Sequence, residues 1–155
     1  MTAKRRQDRI NSFLIACVVA LILLPSAVLK WLYPPLQNPL YYEIIGGVEA
    51  ALALALLIYS RIWRVWVLLA LVVSIWMGFS LYTTVFGLPC SCMGGAFELP
   101  RGATLLLNAL MAAGAWIVLK HHPAHPVSFK RLFWFFIVFL IIGFTSAVIY
   151  YNYQT

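Results

Sequence analysis

Five apolar stretches, each about as long as a membrane crossing, constrain the fold of this chain more than any other feature. A spanning helix needs about 20 mainly apolar residues, and such stretches cover residues 12–33, 41–59, 62–86, 103–119 and 131–151. Hydrophobic residues make up 64% of the 155 residues and charged residues 10%, which excludes an ordinary soluble domain. The sequence therefore predicts an all-α, polytopic membrane helix bundle. It forms a single integral membrane domain of four core transmembrane helices and a fifth C-terminal one.

The first span follows a basic segment, residues 4–9, and together they resemble a signal peptide. However, the apolar run over residues 12–28 is longer than a typical signal-peptide core, and no clear small-x-small cleavage site follows it. We therefore expect an uncleaved first span, with a kink at Pro25.

The basic residues are distributed unequally between the connections. Nine of the eleven fall on one side if five helices alternate across the membrane: Lys4, Arg5, Arg6, Arg9, Arg61, Arg64, Lys120, Lys130 and Arg131. Only Lys30 and Arg101 fall on the other side. Basic residues are retained on the cytoplasmic side, so we expect a cytoplasmic N-terminus and an external C-terminus. In a bacterial inner membrane, the connection between the third and fourth spans would then face the periplasm.

Small residues suggest which helix faces pack together, because they allow helix backbones to approach closely. In the second span, Gly46, Ala50 and Ala53 form one such stripe. Neighbouring small residues of the second span, and those of the fourth, extend the pattern: Gly47, Ala51, Ala55, Ala109, Ala112, Ala113 and Gly114. The fifth span has few small residues, and we expect it to pack peripherally or to face lipid.

Two closely spaced cysteines, Cys90 and Cys92, lie in the external connection, between Pro89 and Gly94. Disulfides form and persist in the periplasm, and a second thiol two residues away can resolve a mixed disulfide. The ring of a Cys-x-Cys disulfide is small and therefore strained, which favours thiol–disulfide exchange. The alternatives are a soft-metal site that includes Met93, since Cu(I) prefers sulfur ligands, and a structural staple of the connection. Cys17, within the first span, is expected to be a buried small hydrophobe.

Glu49 is an acidic residue inside the second span, where a charge is costly and marks a functional candidate. At about 1.5 Å per residue, it lies roughly 9–12 Å below the outer surface, at a depth similar to that of Asn108 in the fourth span. We expect Glu49 and Asn108 to meet beneath the cysteines. Lys30 and Arg101 lie at the same outer face and could pair with Glu49. The carboxylate could accept a proton from a thiol, or it could be a polar clamp between helices.

These features together resemble those of the broad MauE/DoxX group of membrane proteins. The resemblance is carried by Glu49 in Gly46-Gly47-Val48-Glu49, by Cys90-Ser91-Cys92-Met93-Gly94 after the third span, and by Asn108 in the fourth. It covers about the first 120 residues. Ser91 and Met93 replace the more usual Gly and Phe, and the fifth span is an addition. The resemblance implies periplasmic redox chemistry and the maturation of disulfide-containing proteins, often beside a thioredoxin-like partner.

We therefore expect a thiol–disulfide redox protein that passes electrons or disulfides to a periplasmic thioredoxin-like or maturing protein. No cofactor motif is evident, although a quinone could be the carrier on the membrane side. Two other functions compete with this one. The chain could be a small structural or assembly subunit of a larger membrane complex, or a copper-handling membrane protein. Nucleic-acid binding is not expected, because the positive charge lies between apolar spans.

Overall fold

The computed structural model describes residues 3–34, 39–88, 99–100, 102–121 and 128–152, with the backbone alone at 3–9 and 129. Within this part of the chain the fold is all-α, and it contains five helices. They are α1 (Ala3–Leu32), α2 (Pro39–Tyr59), α3 (Trp63–Val85), α4 (Ala103–Lys120) and α5 (Phe129–Asn152). Each contains a stretch long and apolar enough to cross a membrane, which confirms the predicted fold class.

The predicted spans agree with the helices to within about two residues at most ends, because hydrophobicity and helix length coincide in a membrane helix. The exception is the start of α1. This helix begins at Ala3, whereas its apolar part begins at Ile10, so about two basic turns precede the span. The helix continues through Pro25 as one element.

The chain divides into two compact units. The first contains α1, α2 and the start of α3 up to Trp66. The second contains the rest of α3 together with α4 and α5.

In the first unit, α1 and α2 pack closely in opposite directions. A Cβ atom at Gly46 would lie 2.9 Å from Trp31 Nε1 and 3.2 Å from the Ala27 carbonyl oxygen. The Trp31 indole also donates a 3.1 Å hydrogen bond to the Glu43 carbonyl. Because later residues of α1 meet earlier residues of α2, the two helices are antiparallel.

The buried faces of α2 and α4 differ from the small-residue stripes expected from the sequence. The buried residues of α2 are Gly46, Glu49, Leu52, Ala53 and Leu56, and those of α4 are Asn108, Met111, Ala115, Val118 and Leu119. Ala50 is only half-buried, and both Ala51 and Ala113 are exposed. In both helices one line with a spacing of three and four residues is buried, and it includes large apolar side chains as well as small ones.

In the second unit, α3 and α5 cross where two glycines face the partner backbone. A Cβ atom at Gly78 would collide with the Leu140 carbonyl oxygen, and one at Gly143 would collide with the Ile75 carbonyl oxygen. Further along both helices, the rings of Tyr82 and Tyr151 lie 5.9 Å apart. The contacts advance together along the two helices, so α3 and α5 are parallel, as three successive membrane crossings require. The span in α5 remains the least buried of the five.

Candidate functional site

A buried ion pair connects α1 and α2 inside the apolar region. The Lys30 ammonium lies 2.8 Å from each carboxylate oxygen of Glu49. Lys30 is 2% exposed and Glu49 is 6% exposed. The pair confirms the prediction that Glu49 meets a basic residue, and it identifies that residue as Lys30.

The geometry of the helices explains why these two residues meet. Side chains on a helix tilt towards its N-terminus. Lys30 lies two residues before the end of α1, so the tilt directs its side chain away from that end and towards the middle of the helix. Glu49 lies ten residues into α2, and its side chain tilts back towards the start of that antiparallel helix. The two charges therefore approach one another from different depths.

Ser26 completes the cluster, and it was not predicted from the sequence. Lys30 Nζ donates a 2.6 Å hydrogen bond to Ser26 Oγ, one helical turn earlier in α1. An ammonium group has three protons to donate, and Ser26 Oγ with the two Glu49 oxygens provides three acceptors. The position of Ser26 four residues before Lys30 was a signal that could have revealed this contact.

The chemistry of this cluster follows from its burial and from the fact that the charges of Lys30 and Glu49 cancel. A single charge in the middle of a spanning helix costs about 2.5–3.5 kcal/mol on insertion scales, and pairing removes much of that cost. The carboxylate is the one group in the cluster that can act as a base. However, its two oxygens already accept hydrogen bonds from Lys30. The main role of the cluster is therefore to hold α1 and α2 together as a polar clamp.

A second buried polar contact connects α3 and α4. Asn108 Nδ2 donates a 3.0 Å hydrogen bond to Ser80 Oγ, and the two residues are 5% and 2% exposed. Asn108 is therefore buried and polar, as predicted, and its partner Ser80 was missed. Serine hydroxyls in helices often bond to their own backbone, so the sequence offered no strong signal for a contact between helices. The expected meeting of Asn108 with Glu49 stays a prediction, because the two residues belong to different units.

The end of α3 has the hydrogen bonds of a glycine cap. The Leu88 N–H donates to the Thr83 carbonyl at 2.9 Å, and the Gly87 N–H donates to the Thr84 carbonyl at 3.4 Å. Gly87 has φ 66°, a left-handed conformation that favours glycine. These bonds define a Schellman motif that stops the helix. Helix α3 thus ends at Val85, and its cap is completed at Leu88, two residues before Cys90 in the sequence.

Four of the predicted site residues lie outside the described part of the chain: Cys90, Cys92, Met93 and Arg101. Cys17 is a half-buried free thiol within α1. Glu43 is exposed, as expected for a residue near the interface. Among the residues that the structure describes, no three His, Cys, Asp or Glu side chains are grouped closely enough to hold a metal ion.

Comparisons of the chain with protein-family models, with curated proteins and with solved structures found no match. The resemblance to the MauE/DoxX group stays a prediction that depends on the motifs quoted above.

Proposed function

We propose that this protein is a membrane thiol–disulfide redox protein of MauE/DoxX type, in which Cys90 and Cys92 exchange with a periplasmic thioredoxin-like or maturing protein. The observation that carries the proposal is the position of the Cys-x-Cys segment relative to the end of α3. Helix α3 ends at Val85, five residues before Cys90, and its Gly87 cap follows directly, while α4 begins eleven residues after Cys92. Both thiols are therefore part of a connection between two apolar helices.

The exchange would transfer two electrons in two steps. In the first, the thiolate of one cysteine attacks the partner's disulfide, forms a mixed disulfide and releases one partner thiolate. In the second, the other cysteine attacks the mixed disulfide as a thiolate and releases the second partner thiolate. The partner leaves as a dithiol after taking up protons, and Cys90–Cys92 becomes a disulfide. A membrane donor must then return two electrons and two protons to the pair, and a quinol could serve as this donor. The reverse sequence would deliver a disulfide to the partner.

The proposed location is the bacterial inner membrane, with the N-terminus in the cytoplasm and the Cys90–Cys92 connection in the periplasm. The distribution of basic residues supports this orientation. The antiparallel pairing of α1 with α2 and the parallel pairing of α3 with α5 are both compatible with five alternating crossings. An oxidising compartment is where a disulfide-exchanging pair would function.

Serine substitution of each cysteine tests the proposal. Cys90→Ser and Cys92→Ser should each abolish electron transfer to the periplasmic partner, since each removes one of two thiols that the exchange requires. One of them should also accumulate a mixed disulfide, because its resolving thiol is absent. The mixed disulfide can be trapped by acid quenching and alkylation and identified on non-reducing gels.

Cys17→Ser is the matched control, because Cys17 lies within α1 and does not belong to the Cys-x-Cys pair. It should leave exchange unchanged. If the variant that lacks both Cys90 and Cys92 still supports the cellular phenotype, the redox function is wrong and the structural-subunit function takes its place. If anaerobically purified protein instead contains copper that is lost with Met93→Leu, the copper-handling function takes its place.

A further inference from the structure

The second unit carries positive charges that no acidic residue of the same unit can neutralise. Its two segments, Val67–Cys90 and Pro100–Thr155, contain no Asp or Glu in the sequence. Lys120, at the end of α4, and Lys130 and Arg131, at the start of α5, are all exposed. Within the part of the chain that the structure describes, none of these three cations forms an ion pair. At a membrane surface, the phosphate groups of lipids are the anions that such cations meet.

The start of α5 places its two cations beside an exposed tryptophan. The Ser128 hydroxyl accepts a 3.4 Å hydrogen bond from the Arg131 N–H, and the Ser128 carbonyl accepts one from the Leu132 N–H at 3.1 Å. These bonds define the first turn of the helix, in which Lys130 and Arg131 lie. Trp134 follows Lys130 by four residues and Arg131 by three, so the three side chains share one face of α5.

An exposed apolar line continues from this tryptophan along α5. Trp134, Val138 and Ile141 are 59%, 48% and 56% exposed. Their spacings of four and three residues place them on a single side of the helix. Gly143, which approaches the Ile75 backbone of α3, lies on the opposite side. The surface of α5 that does not pack on α3 therefore consists of two cations, a tryptophan and an apolar line.

We propose that Lys130, Arg131 and Trp134 form a binding site for one anionic phospholipid, in the leaflet at which α5 begins. The lipid phosphate would lie between the ammonium and the guanidinium, whose planar N–H donors match a phosphate. The Trp134 indole would lie at the headgroup level, where tryptophan is enriched in membrane proteins. One acyl chain would lie along Val138 and Ile141. The site is independent of the proposed redox function, because it contains none of the cysteines.

The composition of the exposed line favours a lipid over a second membrane helix. Interfaces between membrane helices are enriched in small residues that allow close approach of the backbones. The line from Trp134 to Ile141 contains only large or branched side chains, whereas Gly143 faces α3. A helix that covered this face would also need an acidic group opposite Lys130 and Arg131. An anionic phospholipid supplies both the negative charge and the apolar chain.

Native mass spectrometry of the full-length protein in detergent tests the site. The protein is titrated with phosphatidylglycerol and, separately, with phosphatidylcholine, which has the same acyl chains and no net charge. The wild-type protein should bind one phosphatidylglycerol more tightly than phosphatidylcholine. Lys130→Gln together with Arg131→Gln should weaken phosphatidylglycerol binding by about thirtyfold, since each cation near the membrane surface contributes about fivefold. Phosphatidylcholine binding should not change.

Lys120→Gln is the matched control for Lys130→Gln. Each change removes one exposed cation of the second unit, but Lys120 belongs to the last turn of α4, where Trp116, four residues earlier, is half-buried. Lys130→Gln should weaken phosphatidylglycerol binding by about fivefold, whereas Lys120→Gln should leave it unchanged. Both side chains are exposed, so both variants should fold as the wild-type protein does, which helical circular dichroism would verify.

Four results would overturn the proposal. The first two are equal affinities of the wild-type protein for the two lipids and equal losses in Lys130→Gln and Lys120→Gln. The third is displacement of the lipid by an equal concentration of glycerol 3-phosphate, which has the phosphate without acyl chains and would identify a site for soluble anions. The fourth is a dimer in the same spectra that is lost in the double variant, which would show that a second copy of the chain covers this face.

Discussion

Removing one member of the Lys30–Glu49 pair should destabilise the protein far more than removing both. Each group is at least 94% buried and bonded to the other at 2.8 Å. Loss of one partner of a buried pair typically costs about 3–5 kcal/mol, because it leaves a charge without compensation. We therefore expect Lys30→Met and Glu49→Met each to reduce the free energy of unfolding by about 3–5 kcal/mol.

The double variant Lys30→Met with Glu49→Met should recover most of this loss. Methionine approximates the volume of both side chains, and replacing a buried ion pair by apolar residues is often neutral or stabilising. The expected coupling energy is then on the order of 3 kcal/mol or more, well above the value for an exposed pair. Reversible unfolding of the four proteins in detergent, followed by helical circular dichroism, would measure it.

Glu43→Met provides the matched control, because Glu43 is an exposed acid of the same helix. It should change the free energy of unfolding by less than about 0.5 kcal/mol. If the losses from Lys30→Met and Glu49→Met simply add in the double variant, the two charges do not depend on each other. The clamp would then be refuted.

The ion pair also changes what Glu49→Gln can reveal about catalysis. From the sequence alone, this variant should fold normally, since an amide still forms hydrogen bonds. The structure gives Lys30 hydrogen bonds to both carboxylate oxygens, so an amide would leave the ammonium without a counter-charge. Slow thiol–disulfide exchange in Glu49→Gln could therefore result from this unpaired ammonium. The double variant Lys30→Met with Glu49→Gln lacks the ammonium. Slow exchange is evidence for proton transfer by Glu49 only if the double variant is equally slow.

Two further predictions concern packing and topology. Gly143→Ala should lower the free energy of unfolding by about 1–3 kcal/mol, because the added methyl group meets the backbone of Ile75. Gly47→Ala is the control, because its methyl group would meet nothing within 4 Å, and it should be neutral or slightly stabilising. If Gly143→Ala and Gly47→Ala changed the free energy of unfolding in detergent equally, the close crossing of α3 and α5 would be contradicted. Reporter fusions after His122 and after Thr155 should give cytoplasmic and periplasmic signals respectively, and signals from the same side would remove α5 as a span.

The sequence was sufficient to predict the helices because long apolar runs leave the backbone little choice within a membrane. It also predicted that Glu49 would meet a basic residue, since an unpaired charge at that depth is unfavourable. The packing faces were harder to predict. Small residues were expected to form the packing face of α2, whereas the buried line follows Glu49 and includes Leu52 and Leu56. Which hydroxyls bond across helices depends on how helices rotate against each other. For this reason Ser26 and Ser80 were missed.

The burial of Lys30 changes how the basic residues on the two sides of the membrane should be counted. Counted as an external charge, it weakens the asymmetry of basic residues between the two sides. However, orientation depends on basic groups that face water and lipid headgroups, whereas Lys30 is 2% exposed and neutralised by Glu49. Excluding it leaves Arg101 as the single basic residue on the proposed periplasmic side, against nine on the other. The ion pair that holds α1 to α2 therefore also strengthens the case that the Cys90–Cys92 connection faces the periplasm.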